Sequence, residues 1–299
     1  MSNSFLRGAY TPVITPFKNG AVDYEAFAQF VDWQISHGSH GIVVGGTSGE
    51  FTALSVTERE NLLRVALSVA KRRAFVVAQT GAASAQDTLS LTEHAGQAGA
   101  AAVLVLTPMY AKPTQAGLVS FFREVGRRTD RPLLIYQNAS RTSVSVNVET
   151  LASIFEVCPN LVGMKQSDEE RSYSYAVLGR YGSAFRLFMG SSQIAWDMIP
   201  DGAAGLIVAL ANIVPRAIRQ ICDDAAQGQT ASAMRLHESI ATLNSAAFLE
   251  PSPGPIKYLA WRMGLIPHLE YRLPLIPPSA DLAARLDVAL DASGLLPPH

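Results

Sequence analysis

"AAVLVLTP", residues Ala101–Pro108, is an unbroken apolar run closed by a threonine and a proline. A strand with one wet face alternates apolar and polar residues, whereas an unbroken run of this length suits a strand covered on both faces, as in a parallel sheet. Parallel neighbours need long crossover connections, usually right-handed and helical. The flanking stretches Ala85–Ala98 and Ala116–Arg128 both carry apolar residues at helical spacing.

The same unit recurs in both directions. Further runs are "AYTPVITPF" near Val13, "GIVVGG" from Gly41, "AFVVAQTG" from Ala74, "PLLIYQN" from Pro132, "LVGMK" from Leu161, "FRLFMGSS" from Phe185 and "AGLIVALAN" from Ala204. Amphipathic stretches such as Asp23–Ser36, Thr57–Lys71 and Val148–Val157 lie between them. Eight units in about 225 residues predict an α/β protein of the (β/α)8 type, a TIM barrel, whose usual size is roughly 250 residues. An open doubly wound sheet shares the alternation, but no G-x-G-x-x-G follows the first strand to mark a dinucleotide crevice. Beyond "DDAAQGQTASA" the rhythm changes to helical segments near Met234–Ala247, Ile256–Met263 and Ala280–Ala289, separated by "PSPGP" and "PLIPPS". The expected division is a barrel catalytic domain over 1–226 and a small C-terminal helical extension over 227–299.

With 299 residues, 48% of them hydrophobic, the chain can bury a large core. Its 24 basic and 25 acidic residues leave a net charge of −1, so no global field draws nucleic acid or an anionic membrane. Cys158 and Cys222 fall in different predicted helices and lack the spacing of a metal knuckle or redox pair. No signal peptide is visible, and no window approaches the roughly 18 uninterrupted apolar residues of a membrane span. These features predict a soluble cytoplasmic protein whose partners are small molecules or protein.

In such a barrel, chemistry is built at the carboxyl ends of the strands and in the loops that follow. Strand two delivers Thr47 and Ser48 in "GGTSGE", strand four Tyr110, strand five Tyr136 and then Arg141, and strand six Lys165. Strand seven ends in Gly190 and Ser191, and strand eight carries Ile207 and leads to Asn212. The set lacks the carboxylate pair of glycoside hydrolysis and a cluster of metal-ligating side chains. Neither a metal nor a cofactor is expected. A lysine desolvated at the end of a core strand has its ammonium form disfavoured, and its free amine attacks a carbonyl to give a Schiff base.

Each residue alone has a plainer reading. Lys165 alone suits a strand-ending lysine that snorkels to water, and Tyr136 alone a strand aromatic whose hydroxyl reaches water or a carbonyl. "GGTSGE" suits a simple βα turn as well as an anion-binding nest, Arg141 a surface position, and Tyr110 a loop anchor. Convergence of all of them on one end of the barrel, from four βα units, favours chemistry.

The ordered set "GGTSGE", "TPMYAKPTQAGL", "IYQNASRT", "GMK", "AAGLIVALANIVP" and "PGPIKYLAWRMGL…RLPL" resembles the dihydrodipicolinate synthase / N-acetylneuraminate lyase family of pyruvate-dependent class I aldolases. The resemblance covers nearly the whole chain. It implies that Lys165 forms the imine with pyruvate or another 2-oxo acid and that Tyr136 carries protons near it. Thr47 would partner that tyrosine, and Tyr110 would complete the relay across a subunit interface of a homotetramer built as a dimer of dimers. Ser48 and the amides of its turn, with Thr47 and Gly190, would bind substrate, and the Ile207 carbonyl would lie beside the lysine and tyrosine. Arg141 resembles the synthase branch's arginine for the carboxylate of aspartate semialdehyde, which implies the lysine-biosynthetic condensation of that aldehyde with pyruvate. The alternatives are an aldolase, dehydratase or deaminase acting on another 2-oxo acid, such as a 2-keto-3-deoxy sugar acid, and a non-catalytic barrel that binds a carboxylated metabolite. The chain departs from the family pattern around the pocket, with Gln137 for an asparagine, Ala139 for a proline, Gln166 for an acid, and Ser192 and Gln193 where an aspartate is expected.

Overall fold

In the computed structural model, which describes residues 4–168, 170–191 and 196–295, the eight expected runs are the strands of one closed parallel barrel. They are β1 (Gly8–Pro12), β2 (Gly41–Val44), β3 (Phe75–Gln79), β4 (Ala102–Leu106), β5 (Leu133–Gln137), β6 (Leu161–Gln166), β7 (Arg186–Met189) and β8 (Gly205–Ile207). Each pairs with its neighbours in chain order, and β8 closes on β1 through Tyr10 and Ile207. A short antiparallel pair, Phe17–Lys18 with Ala21–Val22, follows β1.

The crossovers are α1 (Tyr24–Ser36), α2 (Val56–Ala70), α3 (Ala85–Ala98), α4 (Gln115–Gly126), the short α5 (Ala139–Thr142), α6 (Val148–Val157), α7 (Arg171–Tyr181) and α8 (Pro215–Ala226). Their starts follow local chemistry. Asp23, Ser55, Ser84, Thr114 and Asn147 each accept a backbone N–H of the first turn, and Ser55 forms a reciprocal capping box with Glu58. The helix expected over Thr57–Lys71 stops one residue early because Lys71 turns left-handed, and Cys158 caps α6 rather than lying within it.

Alternate strand residues face opposite sides. One set packs outward against the helices, as with Ile42, Val103, Ile135 and Met164. The other set fills the barrel, with Tyr10, Val43, Val77, Leu104, Leu134, Tyr136, Phe188 and Ile207 in one cluster. Tyr10 and Phe188 meet edge to face at 5.3 Å, and the missing side chain of Gly41 leaves the space that the Tyr10 ring occupies. Among the described residues the interior is therefore packed below Tyr136, which leaves the carboxyl ends of the strands as the open side.

Beyond α8 come α9 (Thr230–Ser239), α10 (Ala241–Ala246), α11 (Gly254–Arg262) and α12 (Ala280–Ala292). The single helix expected near Met234–Ala247 is thus two, parted at Ile240. The link from α10 to α11 carries Phe248–Ser252 to the barrel mouth. Lys257 of α11 reaches Glu50, after β2, at 2.6 Å, and Arg272 forks onto Glu58 of α2 at 2.7 Å. Among the described residues no helix is long and apolar enough to cross a membrane.

Candidate active site

Register brings the two central groups together. Tyr136 on β5 pairs with Lys165 on β6, and the Lys165 Nζ lies 4.2 Å from the centroid of the Tyr136 ring. Lys165 is 7% exposed, so its amine lies at the bottom of the mouth rather than in bulk water. Gly190, after β7, makes this approach possible: a Cβ there would strike the Lys165 Cε and the Ser167 hydroxyl.

The Tyr136 phenol oxygen lies 3.4 Å from the Thr47 hydroxyl, and the Asn138 side-chain amide donates to it at 3.2 Å. Burial pulls the phenol upward in pKa, but the Lys165 charge, the bonds from Thr47 and Asn138, and the Arg141 charge together bring it down to about 8. A phenol in that range exchanges protons readily near neutral pH. Thr47 and Ser48 sit in a tight turn in which Gly49 donates to the Gly46 carbonyl and Glu50 to the Thr47 carbonyl. Glu50 adopts a left-handed backbone there, φ 56°, held by its ion pair to Lys257.

The cleft above these groups has a volume of about 740 Å³, within the range of small-molecule sites. Strand-end residues Thr47, Ser48, Tyr136, Lys165, Ser167 and Gly190 form one wall, and Phe248–Ser252 the other. Arg141 on α5 bridges them, donating to the Ser252 carbonyl at 3.1 Å.

Behind the lysine, the sequence departures form one network. Ala139 gives its N–H to the Asp168 carboxylate at 2.7 Å, a bond that proline in its place lacks. Gln137 accepts the Val146 N–H at 2.8 Å and also bonds Asp168, while Gln166 accepts the Asp168 N–H at 3.3 Å. Burial holds the Asp168 carboxyl above its ordinary range despite these donors. Ser192 and Gln193 lie outside the described residues.

Of the residues singled out in the sequence, the cleft collects Lys165, Tyr136, Thr47, Ser48, Arg141, Gly190 and Ser191. Two stand apart. The Ile207 side chain belongs to the packed barrel interior, its expected part being through the backbone carbonyl, and Ala209, two residues on, lines the cleft. Tyr110 is 97% exposed on the loop after β4, with a left-handed backbone, and takes no part in the cleft of its own chain. Reading strand ends alone missed Asn138, Ser167 and Phe248–Ser252. The first lies inside the quoted "IYQNASRT", whereas the last belongs to a segment with no strand before it. Among the described residues, no group of three or more His, Cys, Asp or Glu side chains is placed to hold a metal ion.

The dihydrodipicolinate synthetase family model matches residues 5–293. A 4-hydroxy-tetrahydrodipicolinate synthase of Rhodospirillum centenum is 36% identical over 290 residues, 97% of this chain and 99% of that protein. The synthase of the same name from Thermus thermophilus is 36% identical over 292 residues, 97% of each chain. Among solved structures, dihydrodipicolinate synthase from Aquifex aeolicus superposes with a TM-score of 0.94 at 33% identity, covering 97% of this chain and 98% of that one. The chloride-inhibited synthase from Acinetobacter baumannii, complexed with pyruvate, also gives 0.94, at 32% identity, over 97% of this chain and all of that one (100%).

Proposed function

Since this chain belongs to the dihydrodipicolinate synthetase family, we propose that it is a 4-hydroxy-tetrahydrodipicolinate synthase in which Lys165 forms a Schiff base with pyruvate and the product enamine adds to aspartate semialdehyde. The family makes it a lyase of the class I aldolase type. The observation that carries the reading is a buried amine set against a phenol whose acidity is tuned toward neutrality.

The Lys165 amine attacks the ketone carbon of pyruvate, and loss of water gives the imine. Removal of a methyl proton then gives the enamine, whose carbon bonds the aldehyde carbon as the aldehyde oxygen takes up a proton. Attack of the semialdehyde's own amine on the resulting iminium carbon breaks the bond to Lys165 and frees the lysine. Tyr136 accepts and returns the protons, with Thr47 as its hydroxyl partner. Gly49 and Glu50 are engaged within their turn, so the amides of Thr47 and Ser48 and the Ser48 hydroxyl serve the pyruvate carboxylate. Borohydride reduction in the presence of pyruvate tests the core of the reading: mass is added at Lys165, and its absence sinks the mechanism.

Tyr136→Phe keeps the pyruvate adduct but lowers kcat by about a hundredfold, the scale of lost proton transfer. Steady-state kinetics check this, and a kcat within a factor of about three of wild type removes Tyr136 from the proton path. Arg141→Ala raises KM for the anionic aldehyde by roughly tenfold, the worth of a lost charged hydrogen bond, while the KM for pyruvate moves little. Equal effects on both substrates argue against its assigned role.

A second reading has its own support. Asn138, Ser140, Ser167 and Ser191 make the mouth rich in uncharged donors, and Arg141 already bonds Ser252, which suits a hydroxylated aldehyde or a 2-keto-3-deoxy acid. A turnover screen separates the two. Semialdehyde ignored while such an acid is cleaved leaves the imine chemistry and overturns the synthase assignment.

The wider reading is a cytoplasmic enzyme with the barrel over 1–226, a helical unit over 227–299, and assembly as a homotetramer. The large exposed surface of Tyr110 supports burial in a subunit contact. A monomer in sedimentation at assay concentration removes that part.

A further inference from the structure

Asn138 follows β5 by one residue and opens α5. Its carbonyl accepts the N–H groups of Arg141 and Thr142 at 3.0 and 3.1 Å, so the backbone holds it in place whatever its side chain. The side chain runs between two hydroxyls. Ser140 donates to its Oδ1 at 2.7 Å, which leaves its Nδ2 for the Tyr136 oxygen at 3.2 Å. Thr47 is the other partner of that oxygen, and its hydroxyl serves as donor or acceptor. An amide nitrogen only donates. The contact from Asn138 is therefore strengthened when the phenol gives up its proton and weakened when the proton returns.

Building on the assignment of Tyr136 as the proton carrier, we propose that Asn138 is a positioning residue for the reaction: its side-chain amide holds the Tyr136 oxygen beside Lys165 and supports that oxygen while the proton is away. The other groups that face the phenol differ in kind. Lys165 comes from β6 and Arg141 from α5, both as cations, and Thr47 comes from the turn after β2. Glu250 lines the cleft from the opposite wall, and Asp168 bonds Ala139 behind α5. Tyr10, in the same interior cluster, donates its hydroxyl to the Phe5 carbonyl at 2.9 Å, and burial holds its phenol far above the ordinary range. Asn138→Leu leaves every one of these in place.

The test follows the phenolate ultraviolet band of Tyr136, isolated as the signal that Tyr136→Phe lacks, together with kcat/KM as a function of pH. The wild-type midpoint is expected at about 8 from the charges and hydrogen bonds around the phenol. Asn138→Leu moves the midpoint upward by about one pH unit, and turnover below the midpoint falls by about tenfold. Asn138→Asp, which keeps size and polarity and so guards against misfolding of the leucine variant, moves it further upward because a carboxylate opposes the phenolate. A midpoint that stays at its wild-type value in both variants overturns the proposal, and so does a fall in kcat without a shift, since that is the mark of a packing role alone. Borohydride trapping of pyruvate at Lys165 persists in both variants. Failure of trapping in wild type sinks the assigned function instead, and the titration still reports separately on the bond from Asn138.

Discussion

Lys165→Ala abolishes the borohydride-trapped pyruvate adduct and lowers turnover by about four orders of magnitude or more, the scale seen when a covalent nucleophile is removed. No other lysine lines the cleft among the described residues, and a guanidinium such as that of Arg141 does not replace the amine as a nucleophile. Lys165→Arg sharpens the test. It keeps a positive charge beside Tyr136 while removing imine chemistry, so it retains weak pyruvate binding without an adduct. Mass spectrometry of the reduced enzyme reads both variants. An adduct surviving in Lys165→Ala, or near-normal turnover in Lys165→Arg, is incompatible with the proposed mechanism.

The site's core was legible in the sequence because a barrel converts position along the chain into position in space. Once "AAVLVLTP" and its counterparts are recognised as doubly covered strands, the strand-end rule alone delivers Tyr136 and Lys165 to one mouth, and their register pairs them directly. The same rule is silent on Phe248–Ser252, which follows a helix and reaches the cleft by a tertiary fold-back. At Ile207 it points to the backbone carbonyl, while the side chain continues the packed interior. The departures at Gln137, Ala139 and Gln166 looked unrelated in the sequence. Their common dependence on Asp168 appears only when β5, β6 and α5 are side by side, because a shared hydrogen-bond network has no periodicity to read.

The least legible feature carries the second large expectation. Glu50 and Lys257 lie 207 positions apart, yet their side chains are 1% and 0% exposed and 2.6 Å from each other. Burial pushes the Glu50 carboxyl up and the Lys257 amine down, and each partner offsets part of that for the other. The Phe17 ring, 4.1 Å from the Lys257 Nζ, and the Tyr271 ring, at 5.1 Å, add favourable cation–π faces. Lys257→Met therefore strands a desolvated carboxylate and lowers stability by about 3–5 kcal/mol, read from denaturant midpoints. The double variant Glu50→Gln with Lys257→Met removes both charges and recovers most of the loss, since replacing a whole buried pair is far cheaper than breaking it. A single-variant loss below about 1 kcal/mol places the pair in the regime of solvated surface bridges and defeats the argument. The link to chemistry is the turn itself: Glu50 ends the segment that presents Thr47 and Ser48, so a variant that stays folded but loses this anchor gains KM for pyruvate while still forming the Lys165 adduct at high pyruvate.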